Sequence, residues 1–160
     1  MSDLRIGLGV DAHAFADGVP LVLGGVRFDH PRGLAGHSDG DVVTHALIDA
    51  LLGAAGLGDI GSLFPSDAAT PAGIDSLDLL RDACTRVREA GYGVMNADCV
   101  LIGQEPRIAD RRRELEAKLS DVVGAPVSVR ATTTDHLGFT GRGEGLAAQA
   151  VALLEAEERV

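Results

Sequence analysis

The sequence has no tryptophan, one tyrosine and four phenylalanines in 160 residues. A core with so few rings has to be aliphatic, and Ala, Val and Leu are plentiful enough to build it. Cysteine is scarce too. Cys84 and Cys99 are too few for a disulfide framework and lie in apolar surroundings, so they read as reduced core thiols of a cytoplasmic protein. Basic side chains are the minority charge: 14 Lys and Arg against 24 Asp and Glu give a formal net charge of −10. That sign argues against nucleic acid or a membrane surface as a partner. It also requires that any phosphate-bearing substrate be met by metal ions, Arg or backbone N–H groups. No apolar run is long enough to span a bilayer, and we expect no signal peptide, low-complexity linker or internal repeat. The length fits one domain, residues 1–160, with a sizeable core.

What is present follows two periods. Residues 4–10, Leu-Arg-Ile-Gly-Leu-Gly-Val, alternate as a strand does, and Asp11-Ala12-His13 continues the alternation. Asp11 and His13 are therefore predicted to share one face where the strand stops. Residues 20–28 read as two short strands hinged at Gly24-Gly25, with His30 beyond them in an exposed loop. Residues 37–61 open with His37-Ser38-Asp39-Gly40-Asp41 and run into an apolar helix that carries His45 and Asp49. Ser38 or Asp39 is its expected N-cap, and Val42, Ala46, Leu47, Ala50, Leu51 and Ala54 form its core stripe. Gly58 to Gly61 predicts a turn. Phe64-Pro65 then begins a loop of about a dozen residues with little to pack, a candidate lid.

Farther along come a helix capped by Ser76 and ended by Gly91, a buried strand at 97–103 and a charged helix over 107–122. Its Arg111-Arg112-Arg113 run is interleaved with acids and reads as a solvated face. Val127, Val129 and Ala131 alternate into a further strand, and a Gly-rich turn, Gly138 to Gly145, leads into a closing helix from Leu146 to about Glu157. The order β, ββ, α, α, β, α, β, α predicts an α/β (α+β) sandwich. In it a mixed, mainly antiparallel sheet carries helices on one side.

Several of these features carry chemistry. Asp11, His13 and His45 make a two-His, one-carboxylate set, and three protein ligands with a fourth position free is the pattern of a catalytic zinc site. The free position can polarise a phosphoryl oxygen. His45 and Asp49 are i,i+4 neighbours, so the carboxylate is placed to hold the imidazole; taken alone the pair reads rather as a buried His–Asp hydrogen bond. Thr132-Thr133-Thr134-Asp135 sets hydroxyls and a carboxylate at a strand end, suited to phosphate oxygens and Mg²⁺, although Thr is common in strands in any case. Gly138–Gly145 can cradle an anion with Arg142, but it fits neither the P-loop nor the dinucleotide-binding pattern.

Asp11-Ala-His13, Gly36 to Asp41, His45 to Ala54, Leu57-Gly-Asp59-Ile-Gly61, Phe64-Pro65, Ala131 to Asp135 and Leu137 to Gly145 together resemble the 2-C-methyl-D-erythritol 2,4-cyclodiphosphate synthase family. The motifs fall in order over nearly the whole chain. The resemblance implies a homotrimer with active sites between neighbouring subunits. It implies a phosphorus–oxygen lyase of the non-mevalonate isoprenoid pathway, which converts 4-diphosphocytidyl-2-C-methyl-D-erythritol 2-phosphate into the 2,4-cyclodiphosphate and CMP. The 2-phosphate attacks the β-phosphorus of its own molecule, so catalysis rests on folding the substrate back and neutralising charge.

By position, Asp11, His13 and His45 match the family's Zn²⁺ ligands, with Asp49 as support behind His45. Asp135 matches the residue, usually Glu, that holds Mg²⁺ or Mn²⁺. His37 and Thr133 match the catalytic residues that stabilise the transition state. Ser38 matches a 2-phosphate contact, Asp59 and Gly61 contacts to the methylerythritol hydroxyls, and Phe64 the start of the mobile loop. Gly103, Arg107, Ile108, Ala109, Ala131 and Thr132 fall on the cytidine pocket that the adjacent chain supplies, with Arg107 for the usual Lys and Gly103 for Ala or Cys. Phe139 and Arg142 match positions near the trimer axis, where some relatives bind an isoprenoid diphosphate. The loop Ser66-Asp67-Ala68 lacks the paired acids often found after Phe-Pro. The alternative, from another class, is a non-catalytic metal-stabilised trimer that binds CMP or isoprenoid phosphates.

Overall fold

The computed structural model describes residues 3–67 and 69–157; Ala68, in the expected lid, lies outside the described residues. In chain order the elements are β1 (Leu4–Asp17), β2 (Leu21–Leu23), β3 (Val26–Phe28), β4 (Arg32–Leu34), α1 (Val42–Ala55), α2 (Ile60–Leu63) and α3 (Ser76–Glu89). There follow β5 (Tyr92–Ile102), a 3₁₀ turn (Ala109–Arg111), α4 (Arg112–Val123), β6 (Val127–Thr132), α5 (Gly138–Gly141) and β7 (Gly145–Ala156). The main sheet has the strand order β4-β1-β7-β5-β6, antiparallel except between β5 and β6, and β2 with β3 forms a separate hairpin about Gly24-Gly25.

Alternation along β1 turns Gly7, Gly9, Asp11 and His13 toward the helices and Ile6, Leu8 and Val10 away from them. The strand does not stop at His13. It pairs with β7 through Ala14 and then with β4 from Phe15 to Asp17, so Asp11 and His13 stand inside a paired strand that fixes their direction. Helix α1 lies across β1 and β7 with α3 against its other side, and it is buried almost all round. Glycine makes that approach possible. A Cβ on Gly9 would come within 1.8 Å of the Ala46 carbonyl oxygen, and one on Gly7 within 1.9 Å of the Ala50 carbonyl oxygen.

The same closeness explains the largest difference from the sequence reading. Residues 146–157 do not form a closing helix; Gly145–Ala156 is β7, the central strand of the sheet. Alanine favours helices in isolation, but Ala148, Ala150, Ala152 and Leu154 alternate inward beneath α1, where a small side chain lets helix and sheet meet. Tertiary packing overrides propensity here.

Smaller corrections follow from hydrogen bonding. The N-cap of α1 is Asp41, not Ser38 or Asp39: its carboxylate accepts the Thr44 N–H at 3.1 Å and the Gly24 and Gly25 N–H groups at 2.9 and 2.8 Å. Asp75 rather than Ser76 caps α3. The expected turn at 58–61 is the start of α2, closed by a reciprocal Asp59–Ser62 capping box. His30 is not an exposed loop residue; its side chain is 10% exposed and its ring stacks on Phe15. The β5 strand starts at Tyr92, five residues before the expected 97. Among the described residues no helix is long and apolar enough to cross a membrane.

Candidate active site

Where β1 passes over the first turn of α1, three ligand-type atoms meet. Asp11 Oδ2 lies 2.8 Å from His13 Nε2 and 3.1 Å from His45 Nδ1, and the two ring nitrogens are 3.1 Å apart. The strand's two-residue period supplies Asp11 and His13, and α1 supplies His45 from its buried first turn. Burial works to raise the Asp11 carboxyl, but hydrogen bonds with His13 and His45 outweigh it and hold the group down at about 2. His13 is pushed up, chiefly by its bond to Asp11. The set therefore offers one anionic oxygen and two imidazole nitrogens.

These atoms fit a metal ion. Tetrahedral zinc ligands at ordinary bond lengths lie about 3.4 Å from one another. The triangle observed needs to open by only a few tenths of an ångström to take such an ion, and it is the one cluster of this kind among the described residues. Each imidazole also has a partner on its far side. His13 Nδ1 donates to the Ala35 carbonyl at 2.6 Å, and His45 Nε2 faces the hydroxyls of Ser76 and Ser38 at 2.8 and 2.9 Å.

Asp49, expected behind His45, is not there. Its carboxylate accepts the Ile60 N–H at 2.8 Å and so fastens the start of α2. The i,i+4 spacing does place the two residues along one side of the helix, but both nitrogens of His45 are engaged elsewhere. The residue that meets its outer nitrogen, Ser76, lies 31 positions away on α3, and no local sequence signal marks the contact.

The triad opens into a cavity of about 170 Å³ that His37, Ser38, Gly61 and Phe64 also line. His37 Nε2 donates to the Thr70 carbonyl at 2.5 Å, joining this wall to the loop after Phe64. Asp59 is not in the lining; its carboxylate caps α2, and the Ser62 N–H holds its pKa below the ordinary value. A second cavity, about 400 Å³, brings together Gly103, Arg107, Ile108, Ala109, Ala131, Thr132 and also Thr133. Asp135 stands exposed just beyond it with positive φ, its Oδ1 3.4 Å from the Thr133 hydroxyl. Phe139 and Arg142 are exposed on and after α5, with Arg142 paired to Glu144 at 2.9 Å. A wider groove of about 540 Å³, between Gly18 and His30 and bordered by Arg111, contains none of these residues.

Residues 4–155 match the model of the YgbB family. The chain belongs to that family. It is 53% identical over 156 residues to the 2-C-methyl-D-erythritol 2,4-cyclodiphosphate synthase of Marinobacter nauticus, covering 96% of this chain and 98% of that protein. It is 54% identical to the enzyme of the same name from Rubrobacter xylanophilus, with 97% of each chain covered. Its fold superposes on IspF of Plasmodium falciparum in a CDP complex with a TM-score of 0.85 at 31% identity, covering 99% of each chain. These three relatives are matched along nearly their whole length.

Proposed function

We infer that this chain is a lyase of isoprenoid biosynthesis that cyclises 4-diphosphocytidyl-2-C-methyl-D-erythritol 2-phosphate to the 2,4-cyclodiphosphate with release of CMP. The observation that carries this reading is the Asp11–His13–His45 cluster opening into its cavity, in a chain more than half identical to the named synthases along its length. A trimer that binds nucleotide without turnover is not favoured, because the relatives that match this chain nearly end to end are named as synthases.

In the reaction the 2-phosphate oxygen bonds to the β-phosphorus as the bond from that phosphorus to the CMP oxygen breaks. Asp11, His13 and His45 would hold Zn²⁺, which supplies Lewis-acid polarisation of a phosphate oxygen when bound. Asp135 would contribute the single carboxylate that Mg²⁺ or Mn²⁺ needs when substrate phosphates fill other positions. Ser38 lines the cavity, and its hydroxyl would meet the 2-phosphate. His37, tied through Thr70 to the loop after Phe64, would change position with that loop as substrate enters. Gly103, Arg107, Ile108, Ala109, Ala131 and Thr132 would grip the leaving cytidine nucleotide, and Thr133, in the same cavity, would stabilise the transition state.

On one chain the triad cavity and the Gly103–Thr133 cavity are separate, which supports a site completed by the neighbouring subunit of a homotrimer. The sheet surface opposite the helices supports the same assembly. There Ile6 and Leu8 are 74% and 64% exposed, with Val10, Met95 and Val151 beside them, a patch that a partner would cover. Phe139 and Arg142 would lie near the trimer axis, where an isoprenoid diphosphate is the ligand to test. Two buried free thiols suit a cytoplasmic setting.

Incubation with the cytidylyl substrate and Mg²⁺, read by phosphorus NMR, tests the activity. CMP and a cyclic diphosphate should appear together; CMP with a linear diphosphate would mean hydrolysis and overturn the reading.

A further inference from the structure

We propose that Ser76 and Asp39 are positioning residues for the metal centre: a hydrogen-bond relay from Asp39 through Ser76 fixes the tautomer and direction of His45. The proposal rests on Asp11, His13 and His45 being metal ligands, and it names residues that neither the motif spacing nor the i,i+4 rule points to.

Proton supply sets the direction of the relay. Three donors converge on the Asp39 carboxyl: the Ser76 hydroxyl, the Ser76 N–H at 3.0 Å and the Asp41 N–H at 3.1 Å. A serine hydroxyl carries one proton. Given to Asp39, that proton leaves only lone pairs on Ser76 Oγ for His45 Nε2, 2.8 Å away. His45 Nε2 is then the protonated nitrogen of the metal-bound ring, and Nδ1, 3.1 Å from Asp11 Oδ2 and His13 Nε2, is the nitrogen turned to the metal position. Ser38 Oγ, at 2.9 Å from the same nitrogen, accepts as well, so its own proton stays uncommitted. Reversing the His45 tautomer would set a bare nitrogen against the lone pairs of Ser76 and leave it the Ser38 hydroxyl as its one donor.

The second imidazole reaches the same result by other means. His13 Nδ1 donates to the Ala35 carbonyl, a backbone acceptor, so Nε2 is the atom turned to the metal position. His45 has no backbone carbonyl at its outer nitrogen and relies on a side chain brought in by α3. Ser76 and Asp39 also close the segment after Phe64: the Asp39 N–H donates to the Ile74 carbonyl, and the Gly73 N–H to the His37 carbonyl. The end of that loop and the metal ligand therefore share one support, the buried Ser76 and the half-buried Asp39.

The test measures zinc affinity of the full-length apoprotein by competition with a chromophoric chelator. Ser76→Ala and Asp39→Ala should bind Zn²⁺ about 10- to 100-fold more weakly than wild type, the usual effect of removing the partner behind a ligating histidine. Ser76→Thr, which keeps the hydroxyl, should recover most of the affinity. Asp49→Asn should bind like wild type. The Co²⁺-substituted Ser76→Ala protein should show shifted visible bands, a change that lost stability alone does not produce. Nitrogen-15 NMR of zinc-loaded wild type gives a check independent of variant folding: His45 should carry its proton on Nε2 and the metal on Nδ1. The reverse assignment overturns the relay, as does unchanged zinc affinity in both alanine variants. A wild type that binds no zinc overturns instead the metal reading beneath it.

Discussion

Replacing Asp41 with Ala asks how much of the site's scaffold hangs on one buried carboxylate. Asp41 is fully buried and accepts four hydrogen bonds: from Gly24 N–H, Gly25 N–H, Thr44 N–H and the Thr44 hydroxyl at 2.7 Å. It thereby joins the β2–β3 hairpin to the start of α1, four residues before His45. Loss of the N-cap costs about 1 kcal/mol. Each buried N–H left without a partner adds about 1–3 kcal/mol. Against this, a buried carboxylate is itself costly to desolvate, and its removal returns part of the loss. We expect a net destabilisation of about 3 kcal/mol, which for a domain of this size lowers Tm by about 6–12 °C.

Thermal unfolding followed by circular dichroism, with urea titration for the free energy, measures the Asp41→Ala effect. A loss below about 1 kcal/mol, within the range of an ordinary surface substitution, would refute the reasoning. The pH dependence has a definite sign as well. Burial pushes the Asp41 carboxyl up, outweighing its hydrogen bonds, so the folded state holds that proton more tightly than the unfolded chain. The stability this gives is present below the unfolded value and is lost as pH rises through the raised folded one. Asp41→Asn cannot ionise, so its stability should improve relative to wild type over that rise.

Other consequences follow from the packing. Gly9→Ala should destabilise by more than about 3 kcal/mol in urea titration, because its methyl meets the Ala46 backbone oxygen, which cannot move without displacing α1. A loss under 1 kcal/mol would mean that helix and sheet are not held so closely. Burial pushes the Cys84 thiol up to about 11 and the Cys99 thiol up to about 12. At pH 8 the thiolate fraction is then about 0.1% or less, and native protein should react with a thiol reagent far more slowly than urea-unfolded protein, which should release two equivalents. Fast reaction of the native protein would contradict the burial.

The two halves of the Asp11–His13–His45 cluster were legible because each is built by short-range rules, and the family resemblance joined them across more than 30 residues. A two-residue period puts Asp11 and His13 on one face, and the apolar run around His45 marks a buried helix. The hairpin at Gly24-Gly25 and the stripe of α1 were legible for the same reason. What escaped depends on packing between elements distant in sequence. The Ala-rich segment of β7 carries helix propensity, and only α1 lying across it makes its alternation meaningful. Asp41 escaped as the cap because its other partners, Gly24 and Gly25, lie on a hairpin 17 and 16 residues upstream. Asp49 looked like the support of His45 by spacing, whereas Ser76 reaches His45 only once α3 has docked.

The central claim is that Asp11, His13 and His45 hold a metal ion at a site completed by a neighbouring copy. Anomalous diffraction at the zinc edge, from crystals soaked with Zn²⁺ and CMP, tests it most directly. One strong zinc peak is expected about 2.0–2.2 Å from Asp11 Oδ2, His13 Nε2 and His45 Nδ1, with CMP held by residues 103–109 of an adjacent chain. Zinc bound elsewhere, with those three side chains still hydrogen-bonded only to one another, would contradict it.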